Sequence, residues 1–592
     1  TLERSEIYGN SNAGVNLFGG STDGNSARDA VINDNQIYRN GGWGVIVRSG
    51  GTEVTGNHVF ENGSGIYAEY NGQYAPIRIV DNVVHDNPTG ISGSYWVEIE
   101  GNTVYGNSGW GITMYDSRAL AENNTVYRNA NGIQVSVGPT ARGNRVFDNA
   151  GTGIDIGNSG VAEGNRVYDN STGISESSGR VANNLVYDNR VEGISTSGYR
   201  NDGFDGVFNN TVVQPVGNAI TVRGGASGAY LRNNILEVGS GYAIDVPTNG
   251  QNGFGSDYNL FRLTGTGKIG RWEGRDYTAL EDWFYELGRD GESLVADPQF
   301  IDTSGADGLR GMSYVVMGAP IIIDDGDAGF ITTGAWATSQ GQAVSVPGDP
   351  ATVKEIAIYN TAYGNDVTEA PGGTGGANVA RWTFDGLEDG TYLVAARWPS
   401  GSGITGASAR YALYDGSVSV ANTVAIATSL NHFQAPNDFT ADGVSWERLE
   451  TVEIRNGRLI VELTDAGNAD FNRMLADAVR VQRVEGDGGA DDDFHVAATS
   501  VTVDRGDPSS LFLGEPHPNG GRIDLGAYGN TADSVASPAQ LVQIVNPNGL
   551  EKYEVGQTVT VDIRSAGLTG YDTVLRMNAG NNQVPVAGWS VN

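Results

Sequence analysis

The sequence predicts an all-β protein built on a parallel β-helix of about twelve coils, and three observations carry that prediction. The first is the stretch Asn144-Arg-Val-Phe-Asp-Asn149, repeated from Asn165 and Asn184 and, earlier, from Asn35, Asn57, Asn82, Asn102 and Asn124. Fainter copies start at Asn210, Asn234 and Asn259. The second is a Gly-Ile or Gly-Val pair at the same interval, as in Gly44-Val45, Gly65-Ile66, Gly111-Ile112 and Gly153-Ile154. The third is an absence. No apolar stripe of helical period runs through residues 1–262, whose apolar runs are short, β-branched and punctuated by Gly or Asn.

Each unit repeats the same orientation of inward Val and Ile, so consecutive units are not hairpins. Stacking equivalent strands in parallel, coil on coil at about 4.8 Å, satisfies both period and pattern. One coil cannot bury its own apolar face, and only the stack closes a core. The opening Asn is expected to sit in the left-handed corner and to bond through its amide to the Asn above and below.

Composition narrows the function classes. The chain of 592 residues carries a net charge of −34, with 87 Gly, 18 Pro and no Cys. Lys occurs at Lys268, Lys354 and Lys552 alone, so phosphate backbones would repel the chain and nucleic-acid binding is disfavoured. The glycines follow no triplet period, which excludes collagen. No apolar run reaches the roughly 18 residues that span a bilayer, and no transmembrane segment is expected. The acidic surface suits solubility in cation-rich surroundings and could recruit divalent cations. Residue 1 lies within a repeat, which leads us to expect further sequence upstream.

The array resembles the right-handed β-helix repeat proteins, the broad group that holds pectate lyases, alginate epimerases and many bacterial surface proteins. That resemblance implies the fold; activity varies within the group, from lyases to inert stalks. Lyases of the group need a base, often with Ca²⁺ or Arg neutralising a uronate. The best-placed candidates are Arg200, Asp202 and Asp205, in the loop Tyr199–Gly206 that lengthens one coil. Paired-carboxylate hydrolysis needs two acids on adjacent coils. Aligned on Gly-Ile, Asp155 and Asp245 share a column but are separated by Ser175, Ser195 and Thr221, and Glu176 is one position out of phase. The Asp-Pro-His run of alginate epimerases is absent. His58 and His85 fall in different columns and are not expected to act together.

Two other groups are candidate binding residues. Asp148, Asp169 and Asp188 share a repeat position on successive coils, a column that could hold Ca²⁺ or be neutralised by Arg145 and Arg166. Aromatic residues gather on the early coils, where Trp43 and Trp110 share a position near Tyr67, Tyr70, Tyr95, Trp96 and Tyr115. Of these, Trp43, Trp110, Tyr70, Tyr95 and Trp96 are the expected carbohydrate contacts, since aromatic faces stack on sugar rings and an exposed patch marks a binding site.

Beyond the array (1–262), residues 263–318 read as a C-terminal extension with one short helix over Tyr277–Leu287. The β-helix ending resumes only at 485–538, which places an inserted antiparallel β-sandwich at 319–484. Its runs Ile323-Asp-Asp-Gly-Asp-Ala-Gly-Phe330, Trp382-Thr-Phe-Asp-Gly-Leu387 and Ala476-Asp-Ala-Val-Arg480 are similar to the golvesin C-terminal-like, or xanthan-lyase carbohydrate-binding-like, domain. That resemblance implies a glycan-binding accessory unit of secreted proteins. Glu485–Asp493 reads as an acidic linker, and residues 539–592 as the start of an Ig-like β module.

Two functions follow as expectations. The first is a secreted or cell-surface structural or adhesive protein whose partners are a polysaccharide or surface glycan, with self-association or other surface proteins as further partners. The alternative is an extracellular polysaccharide lyase or uronate epimerase acting on an acidic glycan. No cofactor is required by the first; Ca²⁺ is the one the sequence admits.

Overall fold

The computed structural model describes residues 1–18, 30–70, 72, 75–198, 205–306, 308–311, 315–340, 362–399, 409–419, 422–430, 432, 434–441, 443–466, 473–485, 488–547 and 550–567. The repeats wind into three sheets. The first runs from Leu2–Glu3 to Gly255–Asp257 with 12 strands. The second begins at Glu6–Tyr8 and the third at Val15–Phe18, with 13 strands each. Neighbouring strands are parallel, except for a final hairpin strand, Arg275–Tyr277, that turns back on Lys268–Trp272.

The register keeps equivalent residues in line. Ile91, Ile112, Ile133, Ile154 and Ile174 are successive partners in the third sheet, and all are fully buried. Val84, Val104, Val126, Val146 and Val167 form the matching row in the second sheet. At about 25 cal/mol per Å² of apolar area removed from water, these ladders are the main favourable term.

Both asparagines of the repeat are buried, and each builds a ladder. The opening residue donates its backbone N–H and its side-chain amide to the Oδ1 of its counterpart one coil on, as from Asn124 to Asn144 (2.9 and 2.9 Å) and from Asn144 to Asn165 (2.9 and 3.0 Å). The closing residue does the same from Asn129 to Asn149 and from Asn149 to Asn170. The left-handed corner, however, belongs to the residue in front of each Asn. Asp81, Gly101, Asn123, Gly143 and Gly164 precede the opening Asn, and Asp86, Gly106, Arg128, Asp148, Asp169 and Asp188 precede the closing one, all with φ between 50 and 65°. The ladder Asn is thus kept out of the left-handed position, which Gly, Asp and other Asn such as Asn123 take, and is reserved for satisfying the polar groups of the turn.

The aromatic residue of the repeat points outward. Tyr8, Tyr38, Phe60, His85, Tyr105, Tyr127, Phe147, Tyr168 and Tyr187 stack on the second sheet, with centroids 4.7 to 5.2 Å apart. Phe494, from the ending of the β-helix, closes the stack at 4.8 Å with its ring tilted by 42°.

The helix spans Leu280–Leu287, three residues shorter at its start than the apolar spacing predicts, because Tyr277 is taken into the hairpin strand. It ends at Gly288, which is left-handed (φ 66°) and donates its N–H to Phe284 O. Trp283 is fully buried against Gly270 and covers the open end of the core.

Strand Phe300–Asp302 pairs antiparallel with Asp493–Val496, and Val315–Ile323 pairs with Val479–Glu485. The intervening segment therefore leaves and rejoins the chain at one place. It contains two five-stranded antiparallel sheets and one of three strands, around a shared core that includes Trp382, Phe384, Tyr392, Val394 and Val461. Trp336 packs against that core from its edge, while Trp398 and Trp446 are buried. Among the described residues of 539–592 there is one antiparallel pair, Leu541–Asn546 with Asp562–Ala566.

Candidate functional site

The sandwich and the ending of the β-helix lean on the second sheet and its corners, through Arg410 to Glu61, Arg128 to Glu450, and Arg166 to the carbonyls of Gly489, Ala490 and Asp492. The outer face of the third sheet is different. Among the described residues, its aromatic and charged side chains find their partners on the same sheet or on the hairpin that ends it.

On the early coils Trp43 meets Tyr67 with ring centroids 5.3 Å apart, and Tyr67 donates its hydroxyl to Glu69 (2.9 Å). Arg48 lies over Tyr67 and donates to Glu69 (3.2 Å). Trp110 stands two residues before Ile112, the repeat position of Trp43, and the exposed Tyr115 donates to Gln134 (3.2 Å). Tyr70 and Tyr95 are paired as the last residues of their third-sheet strands, and Trp96 follows them into the corner. Tyr70 packs so closely over Gly50 and Gly72 that a Cβ would stand 2.2 Å from its ring at the first and 2.2 Å from its hydroxyl at the second, and Arg118 covers Trp96 at 5.6 Å. Trp43 and Trp110 therefore share a repeat position on this face, while Tyr70 and Tyr95 stand at its edge, Tyr70 packed down against the core.

Further along the axis the column Gln134, Asp155, Ser175, Ser195, Thr221, Asp245, Arg271 runs straight across the coils. Arg223 reaches back over two coils. It donates to Ser195 Oγ (2.9 Å) and to Ser175 Oγ, which in turn donates to Asp155 (2.7 Å). Arg271 grips Asp245 through both Nε (2.8 Å) and Nη2, and its guanidinium lies 4.8 Å from the Tyr242 ring centre. Tyr242 donates to Asp276 (2.8 Å), which also holds Lys268. The result is a polar track with three cations and three carboxylates, preceded by a set of aromatic rings.

Glu176 lies on the other side of the sheet. It follows Ile156 in register, so it points inward, where it is fully buried and accepts from Thr196 Oγ1 and Gly198 N. Burial raises its pKa, and Asp205 adds to the rise. Of the three loop candidates, Asp205 is buried near this carboxylate, and Arg200 and Asp202 lie outside the described residues.

The aspartate column is placed by the corners, and arginines other than those expected serve it. Asp188 accepts two bonds from Arg310 (2.7 and 2.8 Å), and Asp148 one from Arg128 (2.9 Å). Arg145 instead stacks on Phe147 and, like Arg166, binds the returning chain. That chain is no free linker, since Asp492 is buried under Tyr187 (2.8 Å) and Gly311 N (2.9 Å). The histidines also depart from expectation. His58 and His85 do sit in different columns, but on adjacent coils, and their Nε2 atoms are 2.6 Å apart while His85 Nδ1 meets Asp86 (2.7 Å). Column-by-column reading misses such diagonal pairs.

Comparison with known proteins bears on the fold. Residues 1–119 and 90–236 match the family model of the right handed beta helix region. The repeat array is a right-handed parallel β-helix. No curated protein sequence matches the chain. Among solved structures, a Paenibacillus xanthan lyase is similar over 28% of this chain and 13% of its own, at 21% identity and a TM-score of 0.20. A mutant tailspike protein of E. coli bacteriophage HK620, solved with a pentasaccharide, is similar over 78% of this chain and 76% of its own (12% identity, TM-score 0.26). The A-module of an Azotobacter vinelandii mannuronan C-5 epimerase is similar over 50% and 91% (14% identity, TM-score 0.26). No helix among the described residues is long and apolar enough to cross a membrane.

Proposed function

We propose that this is a secreted or cell-surface glycan-binding protein. Its right-handed β-helix holds a polysaccharide along the outer face of the third sheet, and residues 319–484 form an inserted accessory domain. The observation that carries the reading is that Trp43, Tyr67, Trp110, Tyr115, Arg223, Tyr242, Lys268 and Arg271 gather on the outer face of one sheet. Aromatic rings supply stacking surfaces for sugars, and guanidinium groups suit the carboxylates of an acidic glycan. The coils repeat every 4.8 Å or so, which gives an extended chain a regular series of contacts.

The test is a glycan array probed with the full chain, followed by titration of the best ligand. Trp43→Ala and Trp110→Ala should each weaken binding roughly tenfold, about 1.4 kcal/mol, without changing the melting temperature. Arg78→Ala, on the first sheet, should leave binding unchanged. Equal affinity in wild type and both tryptophan variants would sink the reading.

One observation favours the lyase or epimerase alternative: Arg223 holds Ser175, which holds Asp155, on the same open face. Incubating the bound glycan with the protein separates the two. Unsaturated or C-5-inverted uronates in the product would make it an enzyme, and an intact ligand would leave it a binding protein.

A further inference from the structure

The sandwich contains a group of carboxylates that the glycan reading does not use. Asp324 and Asp325 directly follow strand Val315–Ile323, and Asp366 opens strand Asp366–Pro371. One carboxylate oxygen from each lies within 4.8 Å of the other two, the one such set of three acidic, His or Cys side chains among the described residues. Gly364 makes the approach feasible. It is left-handed (φ 65°), and a Cβ there would stand 2.5 Å from Asp324 Oδ2 and 3.1 Å from Asp366 Oδ1.

Crowded acids alone do not make a site, and Asp325 supplies the second observation. It is only 7% exposed; its Oδ2 accepts from the Thr368 hydroxyl, and its Oδ1 has no protein partner. A buried carboxylate oxygen left unpaired costs on the order of its full desolvation, so such groups are normally satisfied by an ion or water. The surrounding groups do not compensate the charge. Asp324 accepts from the N–H of Asp325 (3.0 Å), Asp327 bonds to Asp324 N (3.0 Å), and Arg397 is engaged by Asp477 (3.2 Å).

We propose that Asp324, Asp325 and Asp366 bind one Ca²⁺, which fastens the entering strand of the sandwich to its three-stranded sheet. The donor set is oxygen only, which excludes the preferences of Zn²⁺ and other soft ions. Ca²⁺ accepts six to eight oxygens in a flexible shell that carboxylates, carbonyls and water can share, whereas Mg²⁺ demands a near-ideal octahedron and keeps most of its own water. Water and backbone carbonyls complete the shell.

The experiment uses the full chain stripped of metal with a chelator, titrated calorimetrically with CaCl2 and, separately, with Tb³⁺ read by sensitised luminescence. The expected result is one saturable Ca²⁺ site per chain, weakened at least tenfold in both Asp324→Asn and Asp366→Asn. These substitutions keep an oxygen and are half-exposed, so the fold should survive, as far-ultraviolet circular dichroism will verify. Ca²⁺ should also raise the melting temperature of wild type and fail to raise that of the two variants. Asp148→Asn, in the β-helix corner column, should bind as wild type does. No saturable site in wild type, or an unchanged site in both variants, overturns the proposal.

Discussion

Asn144 illustrates how much one repeated residue carries. Its Oδ1 accepts two bonds from Asn124, and its amide donates to Asn165 and to the carbonyl of Ala121 (2.9 Å). Asn144→Ala would strand two donors of Asn124 and the carbonyl of Ala121, each costing about 1–3 kcal/mol. We expect a loss of about 2–4 kcal/mol in the denaturant midpoint analysis, and a loss under about 0.5 kcal/mol would refute the ladder's role. The histidine pair gives a second residue-scale prediction. Burial, and then His85, hold the His58 pKa down to about 3, below its ordinary 6.5. The unfolded chain therefore binds more protons than the folded one between these values, so this stability is present above about pH 6.5 and is lost as pH falls towards 3. His58→Gln should flatten the acid limb of a melting-temperature profile, and an unchanged limb would show that other groups govern it.

At the level of elements, the ladders were legible because their cause is local and periodic. Val and Ile inward, Gly at close contacts and Asn at turns recur every coil, so the sequence states the register directly. The helix was legible for its apolar spacing, but its start was not, since Tyr277 prefers a strand that only the hairpin with Gly270 creates. The glycan-facing candidates Trp43 and Trp110 could be aligned by position, whereas Arg223 could not, because its guanidinium acts two coils from its own backbone. The Ca²⁺ cluster was hidden for a similar reason: Asp366 is far in sequence from Asp324. The ending of the β-helix adds a prediction of its own. Asp524 is buried, accepts from Asp504 N (2.7 Å) and is pushed up to about 8 by burial and then by Glu515. Here the folded state holds the proton more tightly, so the contribution is full below about pH 4 and falls as pH rises through 8. Asp524→Asn keeps the acceptor without the charge, and should make the ending more resistant to limited proteolysis at pH 8 than at pH 5, relative to wild type.

For the whole molecule, the question is what fixes the sandwich against the β-helix. Two arginine–glutamate contacts cross between them, Arg410 to Glu61 and Arg128 to Glu450, beside clefts of about 540 and 570 Å³. Burial pushes the Glu61 pKa up, but Arg410 and Arg39 more than offset it and hold the carboxyl below its ordinary value. Docking by Glu61 is thus present above about pH 4.5 and lost as pH falls. Removing one partner of a mostly buried pair leaves the other charge uncompensated, which costs more than the pair contributes. We therefore expect Arg410→Ala to loosen the sandwich, seen as a larger radius of gyration by small-angle scattering and faster cleavage within 485–493, with the β-helix itself intact. Arg410→Lys, which keeps the positive charge facing Glu61 while Arg39 keeps its own bond to that carboxylate, should hold the compact form. If Arg410→Lys is as loose as Arg410→Ala, charge pairing with Glu61 does not orient the sandwich. If Arg410→Ala is as compact as wild type, the backbone pairing of Val315–Ile323 with Val479–Glu485 and the returning chain on the second sheet are enough to hold it.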